Sequence, residues 1–357
     1  MKVIFPEFYK PTDSEFKEMW DKGVFVLDTN ILLSLYRLPH NTSKKLLTIL
    51  EKIKERLWMP HQVAFEYQKR RLDVIYEQKA TYNQMSNLLE TTYSKLEKDF
   101  ERFKKHPFVN CKSLLKKLAT SHKNLTKDIA KSSAKHPDWQ KKDSIREAID
   151  KVFEGKVGEM YENKKLDEIY QQGNERFASE IPPGYKDKKK DLSDMSGVNK
   201  YGDLIIWNQI IDKAKELKNP IIFITDDQKE DWWWEVSGNR IGARYELIKE
   251  MKKEAGVDFY MYTSDQFMEY AGNYLSLKVE QSIIDEFKEV RIKISDEFRL
   301  TKDLDSDLSD SSDETISVKS TDIAFEASGT TNLASSGSAE NSLENDDNLS
   351  IDQSNKS

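Results

Sequence analysis

Two apolar runs in this chain end in carboxylates. Residues 24–27 (VFVL) lead directly into Asp28, and residues 221–224 (IIFI) lead through a threonine into Asp226 and Asp227. Uninterrupted apolar runs are typical of buried strands in a parallel sheet, where ligands bind outside the carboxyl ends of the strands. If the two strands are neighbours, Asp28 lies close to the other pair, and such carboxylates repel unless a cation lies between them. An all-oxygen site of this kind suits Mg²⁺ or Mn²⁺.

Two further carboxylates occupy positions from which they can reach the same edge of the sheet. Glu66 falls on the second turn of a helix predicted to begin at His61, after a short apolar run at 57–59. Asp203 falls in the first turn of an apolar helix that follows Tyr201. Simpler interpretations remain open from position alone: a surface side chain for Glu66, and a helix cap for Asp28 or Asp203.

The order of these elements resembles the PIN-like nuclease family, in the branch with a long helical insertion. The segments that carry the resemblance are VFVLDTNILL, MPHQVAFEYQKRR, IPPGYKDKKK, YGDLIIWNQII and FITDDQKEDWW, within residues 24–75 and 181–265. The resemblance implies an α/β protein with a three-layer α/β/α fold and a parallel sheet. It also implies metal-dependent cleavage of phosphodiester bonds, usually in RNA, with Mg²⁺ or Mn²⁺ as the cofactor.

The family's acidic residues match four positions of this sequence. Asp28 matches the first acid, Glu66 the second, Asp203 the third and Asp227 the last, and Asp226 is an added neighbour at the metal.

Further residues are expected to support these acids or to bind the substrate. The supporting residues are Asn30, Thr225 and Asp187, and Asp187 is also an alternative to Asp203 as the third ligand. The run that surrounds Asp187 is expected to hold the backbone of the nucleic acid through Lys186, Lys188, Lys189 and Lys190.

The chain between the second and third acids has a helical pattern, which defines the expected domain organisation. We expect the first part of the PIN-like domain at 1–72, an all-helical insertion at 73–180, the second part at 181–277, a helical extension at 278–300 and a disordered acidic Ser-rich tail at 301–357. Three adjacent tryptophans cannot all face one core, so at least one of residues 232–234 is expected near the surface, packed against the insertion, with base stacking as the alternative. Arg240 and Arg244 are expected on one helix.

The net charge of −7 is unevenly distributed. Residues 301–357 hold 13 acidic residues and 3 lysines, whereas residues 104–142 hold 11 lysines and 2 aspartates. A basic block of that size suits a phosphate backbone, although a solvated helical face is the simpler interpretation. The single cysteine, Cys111, excludes an internal disulfide, and no apolar run is long enough for a membrane span. A cytoplasmic protein without membrane contact is therefore expected.

Two other functions compete with a metal-dependent nuclease. A phosphatase of the haloacid-dehalogenase type needs a second Asp two residues after the first, but Asn30 occupies that position. A non-catalytic PIN-like scaffold would use the helical insertion as its interaction surface. A regulatory protein partner is a further expectation, because a nuclease of the toxin type would be held inactive by one.

Overall fold

Four short parallel strands form the central sheet of the protein. The computed structural model describes residues 1–192 and 198–294, without the side chains of 189–192. The strands, in spatial order, are β2 (Leu57–Trp58), β1 (Val24–Leu27), β3 (Ile221–Ile224) and β6 (Phe259–Tyr262). Every residue of β1 and β3 is buried, which explains why both strands are uninterrupted apolar runs. The two strands that end in carboxylates are therefore adjacent, as predicted.

Helices cover both faces of this sheet, which gives the expected three layers. On one face, Trp20 of α1 (Asp13–Lys22) packs against Phe25, and Phe267 of α10 (Ser264–Tyr274) packs against both rings. On the other face, Trp207 of α8 (Gly202–Leu217) packs edge-on against Phe259. The α/β fold with a parallel sheet is confirmed.

The remaining helices lie between and beyond these elements. They are α2 (Thr29–Ser34), α3 (His40–Lys52), α4 (His61–Glu101), α5 (Cys111–Lys135), α6 (Ser144–Val152), α7 (Asn163–Ala178) and α9 (Tyr245–Ala255). A last helix begins at 281 and is described to 294. The expected acidic tail at 301–357 and the end of the extension at 278–300 lie outside the described residues.

The insertion is built on one very long helix. α4 has 41 residues, and its buried side chains all lie between Val63 and Ile75, where it packs on the sheet domain. Beyond that point it runs alongside α5, and the two helices form a helical hairpin that we call the arm. The expected boundary between residues 72 and 73 therefore falls inside a continuous helix. The insertion also contributes one strand-like contact, a parallel bridge between Val157 and Met59.

The segment after β3 forms a hairpin that the sequence pattern did not predict. β4 (Trp233–Val236) pairs antiparallel with β5 (Asn239–Ala243). The expectation that Arg240 and Arg244 share a helix is wrong, because Arg240 lies in β5 and Arg244 directly precedes α9.

The expected packing of the three tryptophans against the insertion is also wrong. Trp232 packs against Phe223 and Trp207 in the sheet domain, while Trp234 lies against Phe8 and Tyr245. Residues of the sheet domain, and not of the insertion, therefore contact these two rings.

Within the described ranges 1–192 and 198–294, no helix is both long enough and apolar enough to cross a membrane.

Candidate active site

Asp28 lies at the carboxyl end of β1, where it caps α2 and receives three hydrogen bonds. Its Oδ1 accepts from the backbone N–H of Thr29 at 2.6 Å. Its Oδ2 accepts from Asn30 Nδ2 and from Thr225 Oγ1, each at 2.6 Å. The helix cap expected as the simpler interpretation is thus present, but the hydroxyl from the end of β3 adds a contact that a cap does not need. Asp28 is held in one orientation by both strands.

Asn30 and Thr225 fix the loop after β3 against the start of α2. Asn30 donates to Thr225 Oγ1 at 3.1 Å and accepts from the backbone N–H of Asp226 at 3.0 Å. Thr225 Oγ1 in turn accepts from the backbone N–H of Asp227 at 3.0 Å. These two side chains therefore position the acids of both strands relative to each other.

Glu66 reaches the same edge of the sheet from α4. One of its carboxylate oxygens accepts from Gln62 Nε2 at 2.8 Å, and the other lies 3.4 Å from Thr29 Oγ1. Gly202, at the start of α8, faces it closely, because a Cβ at that position would lie 2.9 Å from Glu66 Oε1. Glu66 thus points toward the strand ends, as the helical position predicts.

Lys229 is the residue around which the other acids meet. Its Nζ lies 2.8 Å from Asp227 Oδ2, 3.0 Å from Asp187 Oδ1 and 3.3 Å from Asp203 Oδ2. Trp232 Nε1 adds a hydrogen bond of 3.4 Å to Asp203. Asp187 and Asp203 are the two alternatives for the third ligand, and both form an ion pair with the ammonium of Lys229. Sequence reasoning missed Lys229, although it follows β3 in the same loop as Asp227.

A second residue that sequence reasoning missed is Asp231. Its Oδ2 accepts from the backbone N–H groups of Gly184 and Lys186, at 3.0 and 3.1 Å. Its Oδ1 is buried and has no hydrogen-bond partner within the described part of the chain. Asp231 thus anchors the segment that carries Asp187 and leaves one buried oxygen without a donor.

Asp226 does not join this group of acids through its side chain. Its Oδ1 accepts from the backbone N–H of Ser264 at 2.9 Å and lies 3.9 Å from Arg291 Nε. Its carboxylate therefore faces the start of α10 and the last described helix.

Of the four predicted substrate-binding lysines, two have side chains that the structure describes. The side chain of Lys186 forms an ion pair with Glu230, and Lys188 is exposed. The side chains of Lys189 and Lys190 lie outside the described residues.

Burial and mutual repulsion perturb the carboxylates. Burial, followed by the neighbouring charges of Asp203, Asp227 and Glu66, raises the pKa of Asp28 to about 7. Burial and the charge of Asp203 raise the pKa of Asp231 to about 6. Both shifts are those expected where negative charge is confined without enough positive charge nearby.

Lys229 shows the opposite balance. Burial alone would lower the pKa of its ammonium, but Asp203, Asp227 and Asp187 outweigh burial and raise that pKa well above its usual value. The ammonium is therefore charged, and it compensates part of the negative charge of the site.

The donor set fits a divalent cation in chemistry but not in preformed geometry. The donors are carboxylate oxygens, which Mg²⁺ and Mn²⁺ prefer, and the buried Oδ1 of Asp231 has no hydrogen-bond partner among the described residues. Across residues 1–192 and 198–294, however, no group of three or more His, Cys, Asp or Glu side chains is already arranged to hold a metal ion. Binding an ion would therefore require the carboxylates to move.

A family model described as "PIN like domain" matches residues 24–247, which is well over half of the chain and includes each acid discussed above. No curated protein and no solved structure matches the chain.

Proposed function

Because the chain belongs to the PIN-like domain family, we propose that it is a metal-dependent endonuclease that hydrolyses phosphodiester bonds, with RNA as the expected polymer. PIN-like domains belong to a superfamily whose members are generally nucleases. The observation that carries the proposal is the convergence of Asp28, Glu66, Asp203 and Asp227 at the carboxyl edge of one parallel sheet. The charges of the last three all raise the pKa of Asp28, so the four carboxylates share one electrostatic site.

These four carboxylates would hold Mg²⁺ or Mn²⁺, with Asp187 available beside Asp203. A bound divalent ion supplies a water of lowered pKa and compensates the charge that develops on the phosphate. Asp28 would enter such a site in a fixed orientation, because Thr225 and Asn30 both donate to it. Hydrolysis with a metal-activated water would leave a 5′ phosphate and a 3′ hydroxyl.

The arm offers a surface for the nucleic acid backbone. α5 carries seven lysines, and at 100° per residue they all fall within an arc of about 140°. The opposite side of α5 packs on α4. Within the described ranges, the only carboxylate partner of these lysines within 4 Å is Asp128, 3.8 Å from Lys131. A long basic stripe with so little internal neutralisation supports binding to phosphates more than an ordinary solvated helix face does.

One observation favours the alternative function, a non-catalytic PIN-like scaffold that uses the insertion. Lys229 already neutralises part of the acid group, which a protein without a metal would need. The same experiment decides between the two functions. The proposal also includes a cytoplasmic location, which the single cysteine favours, and a regulatory protein partner, which a nuclease of the toxin type would need.

The first test is cleavage of labelled single-stranded RNA and DNA with Mn²⁺, Mg²⁺ or EDTA. The wild-type protein should cleave only with a metal, and Asp28→Asn should abolish cleavage while circular dichroism shows an intact fold. Asp73→Asn, which changes an exposed carboxylate on α4, is the matched control and should retain activity. Full activity in Asp28→Asn would contradict the assignment. Absence of both cleavage and metal binding in the wild-type protein would favour the scaffold.

The second test measures binding apart from cleavage, in an Asp28→Asn background. Replacing Lys123, Lys127 and Lys131 of α5 by Gln should weaken binding of single-stranded RNA. It should also lower the slope of log K against log salt by about 2, since each lost contact to a single strand contributes about 0.7. The control replaces three exposed lysines at 249, 252 and 253 on α9. Unchanged affinity and slope in the α5 variant would refute the arm as a binding surface.

A further inference from the structure

Lys229 divides the acid group into two halves with different charge environments. On one side, its ammonium lies within 3.3 Å of Asp187, Asp203 and Asp227. On the other side, the hydrogen-bond donors to Asp28 are a backbone N–H, an amide and a hydroxyl, all of them neutral. Positive charge is thus already present beside three of the acids, whereas Asp28 accepts hydrogen bonds only from neutral groups.

The position of Lys229 also limits where a divalent ion can bind. Nuclease sites with two metals hold the ions about 3.5–4 Å apart, and Mg²⁺ binds its oxygen ligands at about 2.0–2.1 Å. The ammonium lies 2.8–3.3 Å from one oxygen of each of its three carboxylates, which is hydrogen-bonding distance, and it occupies the space between them. A second ion placed among these three oxygens would have to displace the lysine ammonium, whose side chain is only 17% exposed.

Lys229 is also tied to the fold on both sides, which makes such displacement difficult. Its backbone N–H donates to Asp227 Oδ1 at 2.9 Å. The nearby Asp231 accepts from Gly184 and Lys186, and so holds the segment that carries Asp187 to the same loop. Lys229 is therefore part of a connected hydrogen-bond network and is not an exposed side chain that has folded back onto the surface.

We infer that Lys229 takes the place of a second divalent ion, so that the chain binds one ion, on the side of Asp28 and Glu66. The inference rests on the proposed function, since it concerns how that site holds its metal. Lys229 is then a positioning residue: it holds the carboxylates of Asp203 and Asp227 in place, and it supplies fixed positive charge where a second ion would otherwise lie.

The test counts bound Mn²⁺ ions per full-length chain by the loss of the free-ion signal in electron paramagnetic resonance. The wild-type protein should bind one ion. Lys229→Gln should bind two, because it removes the ammonium and leaves its carboxylates unneutralised, and Lys229→Arg should again bind one. Lys215→Gln, which removes an exposed lysine paired with Glu254 on the surface, is the matched control and should bind one.

Several outcomes would overturn the inference, and they separate it from the proposed function. Two ions in the wild-type protein, or one ion with unchanged affinity in Lys229→Gln, overturns the role of Lys229 and leaves the nuclease proposal standing. No ion in the wild-type protein overturns both. If Lys229→Gln does not fold, the stoichiometry of the wild-type protein and of Lys229→Arg still decides the question, since either protein binding two ions overturns the inference.

Discussion

Replacing Asp28 by Asn should stabilise the metal-free protein at alkaline pH, although it removes an acid of the proposed site. Burial and three neighbouring carboxylates raise the pKa of Asp28 from its ordinary value of 3.8 to about 7. The folded protein therefore binds the proton more tightly than the unfolded chain does. The stabilisation that this proton provides is complete below about pH 4 and is lost as the pH rises through about 7. An asparagine carries no charge and does not show this loss.

The size of the effect follows from the shift in pKa. A difference of about 3 pKa units, at about 1.4 kcal/mol each, corresponds to about 4 kcal/mol of stability lost by the wild-type protein between pH 4 and pH 8. The amide cannot accept all three hydrogen bonds that Asp28 receives, which costs the variant about 1–2 kcal/mol at every pH. We therefore expect Asp28→Asn to be about 2 kcal/mol more stable than wild type at pH 8, and slightly less stable at pH 4.

The assay is urea unfolding of both proteins in EDTA at pH 4 and pH 8, followed by circular dichroism. At each pH, the unfolding free energy of wild type is subtracted from that of Asp28→Asn. The decisive quantity is the change in this difference between pH 4 and pH 8. This quantity does not depend on the constant cost of the lost hydrogen bonds. Asp73→Asn is the control and should show little change. If the difference between Asp28→Asn and wild type is the same at both pH values, repulsion within the acid group has been overestimated and the reasoning is refuted.

Three further predictions concern the same site and the base of the arm. Gly202→Ala should change the unfolding free energy by no more than about 1 kcal/mol. It should nevertheless lower the rate of cleavage about a hundredfold, because the added Cβ would displace the Glu66 carboxylate. An unaltered rate would contradict a role for Glu66. Asp143→Ala should cost about 3 kcal/mol in urea unfolding, since it leaves the buried Arg71 without its carboxylate; a cost near zero would mean that solvent reaches the guanidinium. Mn²⁺ at about one hundred times its Kd should stabilise the wild-type protein by about 2.7 kcal/mol in thermal unfolding. It should not stabilise Asp28→Asn. Equal stabilisation of both proteins would mean that the ion binds away from Asp28.

The sheet and its two terminal acids could be predicted because their signals are local. An apolar run of four residues that ends in Asp28 specifies a buried strand, and a second such run before Asp227 specifies its neighbour. Chain connectivity then brings both ends to one edge of the sheet. Glu66 could be placed for a similar reason, because its distance from the start of α4 fixes the direction in which it points.

The contacts of Lys229 could not be predicted from these patterns. They depend on the path of a loop after β3 and on Asp187, 42 positions earlier in the chain. No periodicity describes such a loop. Its position at the carboxyl edge of the sheet was nevertheless a signal, since any charged residue a few positions beyond Asp227 remains within reach of the site.

The missed hairpin had a signal that was overlooked. Ser237 and Gly238 separate β4 from β5, and both have positive φ, at 52° and 76°. Two such residues in succession are typical of the tight turns that join antiparallel strands, and the Ser-Gly pair was the signal in the sequence. The sequence analysis placed Arg240 on a helix, but the helix begins only at Tyr245.

The length of α4 has a consequence for where the protein would cut. Glu66 and the far end of the arm belong to one helix, so their separation is set by the rise per residue, about 50 Å from Glu66 to Glu101. A nucleic acid strand bound along the arm would meet the acids at a fixed distance from its binding site on the arm. The arm would then act as a ruler, and adding or removing whole helical turns from both of its helices would shift the cut by a corresponding number of nucleotides.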